Sequence, residues 1–440
     1  MTFKSSIILL LLSITAFAPL MGQDLLTKSD VVALALEYNF DIQTANNNVD
    51  IAVNNASTLN SGYLPTLSSN GSVNYSVTDS ENTLQSGEVQ TPSGVKTMRI
   101  SGSAGINYTL FDGMGREYNL KKLRENYNLS ELQARLVIEN SVLNIFNVYY
   151  EIARLTENVN TQKQTLNISR ERWTREKYSF EYAQNLRLDV LNAEVDYNND
   201  SINYLTLIQQ LNNEKTNLNL LLGRDVNTVY TVDTTLKYAV GLDREALMQQ
   251  ARKNNVNILQ EQGAIRNAEY DLKITGANSI PKIGISAAYN YSHNNLGETA
   301  YFNTSTQWGP VLGANLSWNI FDGGLTNTRK QNAKILLENQ QISMQQTQLS
   351  IERNVSNAWN IYQTALFVLE AEKKNLETNQ HNFDRTKEQH ALGQITSIEF
   401  RQAQLNLVNA SLNYNQAKYS AKIAELALLQ LSGDLIEAEF

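Results

Sequence analysis

Residues 104–113 read AGINYTLFDG, and residues 314–323 read ANLSWNIFDG. In both stretches apolar and polar side chains alternate up to a shared Phe-Asp-Gly, and the two motifs lie 210 positions apart. Alternation with a period of two predicts a β-strand that has one apolar face and one polar face. The chain therefore contains the same amphipathic strand twice, each time followed by a glycine turn.

Internal repetition extends through both halves of the chain, so each half is one copy of the same unit. Downstream of the strands, the offset of 210 also aligns Tyr204 with Tyr414 and Gly223 with Gly433. Upstream, an offset of 216 aligns Leu26 with Leu242, Ala35 with Ala251, Asn39 with Asn255 and Pro65 with Pro281. Insertions are tolerated in surface loops, so the change of offset predicts an exposed loop at 80–97 that is longer than its counterpart at 294–307.

Four segments have the alternating pattern and the length of a transmembrane β-strand, which is about 9–11 residues. They cover about 66–78, 99–111, 282–292 and 310–321. Their polar face is small and mostly uncharged, which suits a water-filled lumen. Aromatic residues near the strand ends suit the two membrane interfaces. These aromatic residues are Tyr108, Phe111, Tyr291, Trp308, Trp318 and Phe321.

Four strands cannot close a barrel, and open strand edges are not tolerated in lipid. Two chains would supply eight strands, and side chains fill a barrel of that size. Three chains would supply twelve strands and leave room for a lumen. The sequence therefore favours a homotrimer with a twelve-stranded barrel and four strands per chain, in a mixed α/β membrane protein.

A very long helix follows each pair of strands. From Arg116 to Leu222 the first copy has neither glycine nor proline. At ~1.5 Å per residue, the helix from Arg116 to about Tyr178 would be ~95 Å long, and segments 29–62 and 187–222 would each give about half that length. Two apolar stripes on the long helix indicate neighbours on both sides. We expect a helical barrel in which two short helices, end to end, stand beside each long one.

These lengths predict the organisation of the chain. The first repeat (23–222) and the second repeat (244–432) carry helical tips at about 179–187 and 391–397. The linker at 223–243 and the tail at 433–440 are expected at mid-height, the equator of the helical barrel. Residues 1–22 read as a signal peptide, because Lys4 precedes a short apolar stretch and a small-residue cleavage site.

Composition argues against catalysis. The 440 residues include no cysteine and three histidines, and the formal net charge is −8. These counts exclude disulfides, thiolate nucleophiles and cysteine-ligated metals, and an acidic chain is a poor candidate for binding nucleic acid. His381 and His390 are nine positions apart and do not share a helix face as a metal pair would. We expect no enzyme activity, no cofactor and no metal site.

The two-copy plan, the Phe-Asp-Gly turn into each long helix and the tip motifs at 182–191 and 392–400 resemble TolC-like outer-membrane efflux proteins. The resemblance implies a homotrimer whose barrel lies in the outer membrane and continues into a long periplasmic helical barrel. It implies a passive exit duct of a tripartite efflux or type I secretion system, which works with a periplasmic adaptor and an inner-membrane pump. The alternative is a non-conducting periplasmic or surface coiled-coil scaffold or adhesin, which would not need strands with a polar inner face.

The resemblance also implies functional positions at the tips. Adaptor contacts would involve Ala183, Leu186, Arg187, Leu188, Gly393, Ile395, Thr396 and Ile398. The periplasmic constriction would involve Glu399 and Gln402 after the second tip, and Asp189 and Asn192 after the first. Asp189 and Glu399 also fit a structural role, because carboxylates in the first turn stabilise a helix. Ser397 is a possible N-cap, and gating and capping stay open for Glu399.

Overall fold

The computed structural model describes residues 24–296 and 302–435. The helices are α1 (Lys28–Tyr38), α2 (Phe40–Asn55), α3 (Gly115–Glu181), α4 (Arg187–Leu221), α5 (Arg244–Asn254), α6 (Val256–Ala277), α7 (Leu325–Ala391) and α8 (Ser397–Ser432). The strands are β1 (Asp24–Leu26), β2 (Thr66–Thr78), β3 (Asn82–Thr83), β4 (Val89–Gln90), β5 (Val95–Phe111), β6 (Tyr230–Val232), β7 (Lys282–Asn295) and β8 (Thr304–Ser317). The predicted signal peptide (1–22) and the end of the predicted tail (436–440) lie outside the described residues.

Four long strands form one antiparallel sheet in the order β2-β5-β7-β8. Its register places apolar and polar side chains in separate rows across the sheet. One row joins Leu67, Ile106, Ala287 and Leu312. Another joins Ser72, Ser101, Ser292 and Gln307. Each face of the sheet thus has one chemical character, because side chains alternate between faces along every strand.

The last strand lies earlier in the chain than the sequence pattern predicts. β8 covers Thr304–Ser317 rather than 310–321, so Trp318 and Phe321 follow the strand. β5 begins at Val95 and β7 continues to Asn295, so both are longer than predicted. His293 lies within β7 and pairs with Thr306 of β8. Hydrogen bonds between the strands decide where the strands end. These bonds continue through polar residues, where the alternation of apolar and polar side chains is weak.

The two long helices, α3 and α7, have 67 residues each. Along its first half α3 packs against α2 and α6, and along its second half it packs against α4 and α8. Lys122 of α3 binds Asp271 of α6 at 2.6 Å, and Asn158 of α3 accepts a hydrogen bond from Asn415 of α8 at 2.9 Å. Short helices therefore stand end to end beside a long one.

Segment 29–62, which the sequence predicts as one helix, is broken at Asn39. The backbone of Asn39 is extended, and its side-chain oxygen accepts hydrogen bonds from the N–H groups of Asp41 and Ile42. The side-chain amide of Asn39 also donates to the carbonyl of Leu221 at 2.7 Å. Asn39 therefore ends α1 because it caps α2. Its amide also ties the start of α2 to the end of α4.

The middle of the chain holds the main apolar core. β1 pairs in parallel with β6, which lies inside the predicted linker 223–243. Their residues pack on buried side chains of α3, which include Ile145, Phe146 and Tyr149. The Tyr149 hydroxyl donates to the carbonyl of Leu26 at 2.9 Å. This core joins the segment around β1, the linker strand β6 and the long helix α3 into one unit.

Within residues 24–296 and 302–435, no helix combines the length and the apolar character that a membrane-spanning helix needs.

Candidate functional site

Both helical tips are tight turns with the same backbone shape. α3 and α4 are joined through Ala183, which has φ +58°, and α7 and α8 are joined through Gly393, which has φ +69°. In each turn a glutamine N–H closes the preceding helix, by donating to Ser179 in the first and to Gln389 in the second. The first tip therefore adopts the glycine conformation with an alanine, at a cost of about 1–2 kcal/mol for a left-handed residue that has a side chain.

Glu399 caps the helix that follows the second tip. Its carboxylate accepts hydrogen bonds from the Thr396 N–H at 2.8 Å and from the Thr396 hydroxyl at 2.9 Å. The Glu399 N–H in turn donates to that hydroxyl at 3.2 Å. These bonds, the backbone one first, lower the pKa of the Glu399 carboxyl. Thr396 is thus the N-cap, and the expectation that Ser397 caps this helix is wrong, because Ser397 already lies in the first turn.

At the first tip, Asp189 accepts the corresponding hydrogen bond from the backbone, but the N-cap side chain makes none. Its carboxylate accepts a hydrogen bond from the Leu186 N–H at 3.2 Å. Leu186 is the N-cap, and its apolar side chain cannot return a hydrogen bond. Asp189 and Glu399 therefore occupy corresponding positions in the two repeats, and Glu399 makes more hydrogen bonds to its N-cap residue.

A cavity of about 320 Å³ lies between the N-terminal parts of α4 and α8, beside Arg172 of α3. It brings together three of the predicted constriction residues, Asp189, Asn192 and Gln402. Glu399 does not line it, because its carboxylate is turned back onto Thr396. The remaining lining residues are Arg172, Val195, Asp196, Ser397, Ile398, Arg401 and Leu405.

Most of the predicted adaptor-contacting side chains are exposed in the chain. Ala183, Leu186, Arg187, Leu188, Gly393, Thr396 and Ile398 all lie on the surface. Ile395 is different, because it is half-buried and packs with Phe383 and Phe400 in a small apolar cluster. Ile395 therefore packs within the tip and exposes only part of its side chain.

A buried ionic cluster lies just above the tips and was not predicted from the sequence. Asp200 of α4 accepts hydrogen bonds from Arg401 of α8 at 2.7 and 2.9 Å and from the Ser169 hydroxyl of α3 at 2.5 Å. Arg172 of α3 pairs with Asp196 of α4. The cluster of Ser169, Arg172, Asp196, Asp200 and Arg401 thus joins the three helices at one level.

A polar stripe on α3 is the sequence signal for this cluster. Asn158, Gln162, Thr165, Ser169, Arg172 and Glu176 are buried and follow each other at spacings of three and four. This spacing defines one face of a helix, and a polar face would ordinarily be read as solvent-exposed. Only the positions of α4 and α8 show that the stripe is covered.

The predicted interface aromatics fall into two groups. Tyr291 and Trp308 face each other across β7 and β8. Tyr108 lies near the opposite end of the sheet, where the guanidinium of Arg116 sits 5.7 Å from its ring centre. Phe111 closes β5, whereas Trp318 and Phe321 follow β8 and are exposed.

The described residues contain no group of three or more histidine, aspartate or glutamate side chains that could hold a metal ion. His390 stacks on Phe400, with their ring centres 4.6 Å apart. Burial lowers the pKa of its imidazole, which suits a neutral packing residue.

The chain matches the family described as "Outer membrane efflux protein" over residues 31–224 and 247–434. Outer membrane efflux protein BepC of Brucella suis biovar 1 is 22% identical over 343 residues, which cover 76% of this chain and 73% of BepC. Outer membrane protein TolC of Salmonella enteritidis is 22% identical over 356 residues, which cover 79% of this chain and 71% of TolC. The Campylobacter jejuni CmeC outer membrane channel superposes with a TM-score of 0.75 at 16% identity, covering 93% of this chain and 86% of CmeC. The chain shares the fold of this channel.

Proposed function

Because the chain belongs to the outer membrane efflux protein family, we propose that it forms the outer-membrane exit duct of an efflux or type I secretion system. Substrates would pass from an inner-membrane pump and a periplasmic adaptor through the duct to the exterior. The sheet would lie in the outer membrane, and the helices would extend into the periplasm. The duct would be passive, because this is a family of channels and the energy would come from the pump.

The chemistry of the four-stranded sheet carries this proposal. Its row of Ser72, Ser101, Ser292 and Gln307 suits a wet lumen, and its apolar row suits lipid. β2 and β8 are the two edges of the sheet, and each needs a further strand in lipid. Three copies would join these edges into twelve strands. A coiled-coil scaffold would not need two such faces, so the scaffold alternative is not favoured.

The native mass of the protein tests this architecture. Protein extracted with detergent from outer-membrane fractions should behave as a complex of three chains of at most 49.5 kDa each. It should also conduct ions after insertion into planar bilayers. A periplasmic monomer or two-chain coil that does not conduct would overturn the proposal.

Within the duct, we assign the periplasmic constriction to Glu399, Gln402, Asp189 and Asn192. Three of these side chains already share the cavity between α4 and α8. Three copies of Glu399 would add an acidic ring at the start of α8, which would favour cations. The exposed tip residues around Leu186 and Ile398 would meet the adaptor.

Replacing Glu399 should separate its charge from its capping role. Glu399→Gln keeps an oxygen that can accept from the Thr396 N–H and removes the charge, so we expect weaker cation preference in planar bilayers. The lowered pKa keeps the carboxylate ionised at neutral pH, so wild-type preference should be lost only as the pH falls through that pKa. Thr396→Val is the matched control, because it removes the capping hydroxyl and keeps the charge. Unchanged selectivity in Glu399→Gln would remove Glu399 from the gate.

A further inference from the structure

The four-stranded sheet carries charged side chains of one sign only. The chain as a whole is acidic, with 44 aspartate and glutamate residues and a formal net charge of −8. None of these carboxylates lies in β2, β5, β7 or β8. The lysine and arginine residues in these strands are Lys96, Arg99 and Lys282. The sheet is therefore cationic within an acidic protein.

Arg99 lies on the polar face of this sheet, near the end that is remote from the helices. It is two positions from Ser101 on β5, so the two side chains point to the same side of the sheet. Its cross-strand partners on that face are Asn74 of β2 and Asn294 of β7. Because β5 runs from this end towards α3, this end of the sheet is the outer mouth of the proposed duct.

One hydrogen bond orients the Arg99 side chain and leaves most of its donors free. Its Nε donates to the Oδ1 of Asn294 at 2.8 Å. The side chain is exposed, and within the described residues its terminal nitrogens donate to no other group and pair with no carboxylate. A guanidinium presents five N–H donors in a planar fork that matches the oxygens of a carboxylate or a phosphate. Arg99 can therefore bind an oxyanion with the donors that Asn294 does not use.

Lys282 places a second positive charge at the opposite end of the polar face. It is the first residue of β7, and it lies two positions before Gly284, which pairs with Asn315 on the polar face. Along β7, Lys282 and the Asn294 that binds Arg99 are separated by about 40 Å, at ~3.3 Å per residue. The polar face therefore has one cation near each end and uncharged side chains between them.

From these positions we propose that three copies of Arg99 form a cationic ring in the lumen at the outer mouth of the barrel, where it binds anionic solutes. Three copies of Lys282 form a second cationic ring where the barrel meets the helices. The solutes that the duct exports therefore carry carboxylate or phosphate groups. The inference rests on the proposed duct and names the chemical class of its substrates.

A ring of like charges acts on a solute through its electric field as well as through hydrogen bonds. Rings of arginine or lysine favour anions in pores. A lumen enclosed by low-dielectric walls focuses the field of such a ring and raises the local concentration of the opposite charge. Because the strands supply no carboxylate, nothing in the four-stranded sheet offsets the field of Arg99 and Lys282.

The acidic ring proposed at Glu399 acts at the other end of the duct. The helix α3 between the barrel and the tips has 67 residues. At ~1.5 Å per residue it spans about 100 Å, whereas the Debye length is about 10 Å at 0.1 M salt. Neither ring therefore cancels the field of the other. Cation preference at the constriction reports on Glu399, and anion binding at the barrel mouth reports on Arg99.

Block of the channel current by tripolyphosphate tests the inference. The full chain, purified in detergent from outer-membrane fractions, is added to one chamber of a planar bilayer. Its large helical part stays on that side, so the barrel mouth opens to the other chamber. In about 0.1 M salt, we expect tripolyphosphate to block at lower concentrations from the mouth side than from the helical side. The block should weaken in about 1 M salt, where the Debye length is about 3 Å.

Three variants separate the charge of Arg99 from other effects. Arg99→Gln should raise the half-blocking concentration from the mouth side about tenfold, because each channel loses three charge-assisted donors. Arg99→Lys keeps the charge without the planar fork and should retain part of the block. Lys96→Gln is the matched control, because it removes the same charge from the same strand but on the apolar face, where Lys96 pairs with Val77. Its block should stay within about twofold of wild type, since the lumen keeps its charges.

The outcomes separate this inference from the proposed duct. Block from the mouth side that is weakened in Arg99→Gln and kept in Lys96→Gln would support the ring. A conducting channel that tripolyphosphate blocks equally from both sides, or equally in wild type and Arg99→Gln, would overturn the ring and leave the duct standing. Wild-type protein that does not conduct would overturn both. If Arg99→Gln does not assemble, the comparison of the two sides in wild type decides.

Discussion

Replacing Asp200 by alanine should destabilise the helices above the tips by about 3–5 kcal/mol, the usual effect of removing one partner from a buried ion pair. The side chain of Asp200 is almost fully buried, and it accepts hydrogen bonds from Arg401 and Ser169. Without it, Asp196 is the one charged partner that Arg401 keeps among the described residues, at 3.4 Å. Amide hydrogen exchange in the halves of α3, α4 and α8 nearest the tips should become about 100-fold to 4,000-fold faster.

Two variants show whether the charge pairing causes this effect. Asn199→Ala changes the exposed neighbour of Asp200 and should alter stability by less than about 0.5 kcal/mol. Asp200→Leu combined with Arg401→Met removes both charges and should recover much of the loss, since an apolar pair can replace a buried ion pair. Wild-type exchange rates in Asp200→Ala would show that the cluster contributes little.

Replacing Gly223 by alanine should cost about 4 kcal/mol, which is at the upper end of single-residue effects. Gly223 ends α4 with φ +63°, and an added Cβ would lie 2.2 Å from the carbonyl oxygen of Tyr38. That oxygen belongs to the backbone where α1 ends, so it cannot move without shifting the chain. We expect a lower yield of folded protein and a lower thermal unfolding temperature.

Gly393→Ala is the matched control for this prediction. Gly393 has φ +69°, and no atom of the part of the chain that the structure describes lies within 4 Å of the position of an added Cβ. Its replacement should cost only the left-handed backbone term of about 1–2 kcal/mol, which Ala183 already bears at the first tip. Equal losses in the two variants would show that the contact with Tyr38 has no effect.

The family and the outer-membrane efflux role were predicted from the order of short motifs in both copies, and the comparisons confirm them. Repetition can be read from sequence because corresponding positions in the two copies keep the same chemistry. The long helices were visible for a similar reason: an absence of glycine and proline is a local property. Helix ends were less visible, since Asn39 breaks a helix by capping the next one.

Local sequence also left the roles of individual residues at the second tip open. Glu399 could cap a helix or line a constriction, and in the structure its carboxylate binds Thr396. Ile395 was expected at the adaptor surface, and in the structure it is half-buried and packs with Phe400. Either side chain could have taken another direction with the same neighbours in sequence, so the packing of the tip decides.

The sequence by itself determined the two-copy plan, because matching residues recur at fixed offsets, and it determined the amphipathic strands and the long helices, because their patterns depend on neighbouring residues. Only the tertiary structure decided that Asp200 meets Arg401, which lies 201 positions away, and that the polar stripe on α3 is buried. The spacing of the polar stripe marks one face of α3, but neither segment shows which distant residues will pair with it. Its partners become visible only when the folded helices bring them within bonding distance.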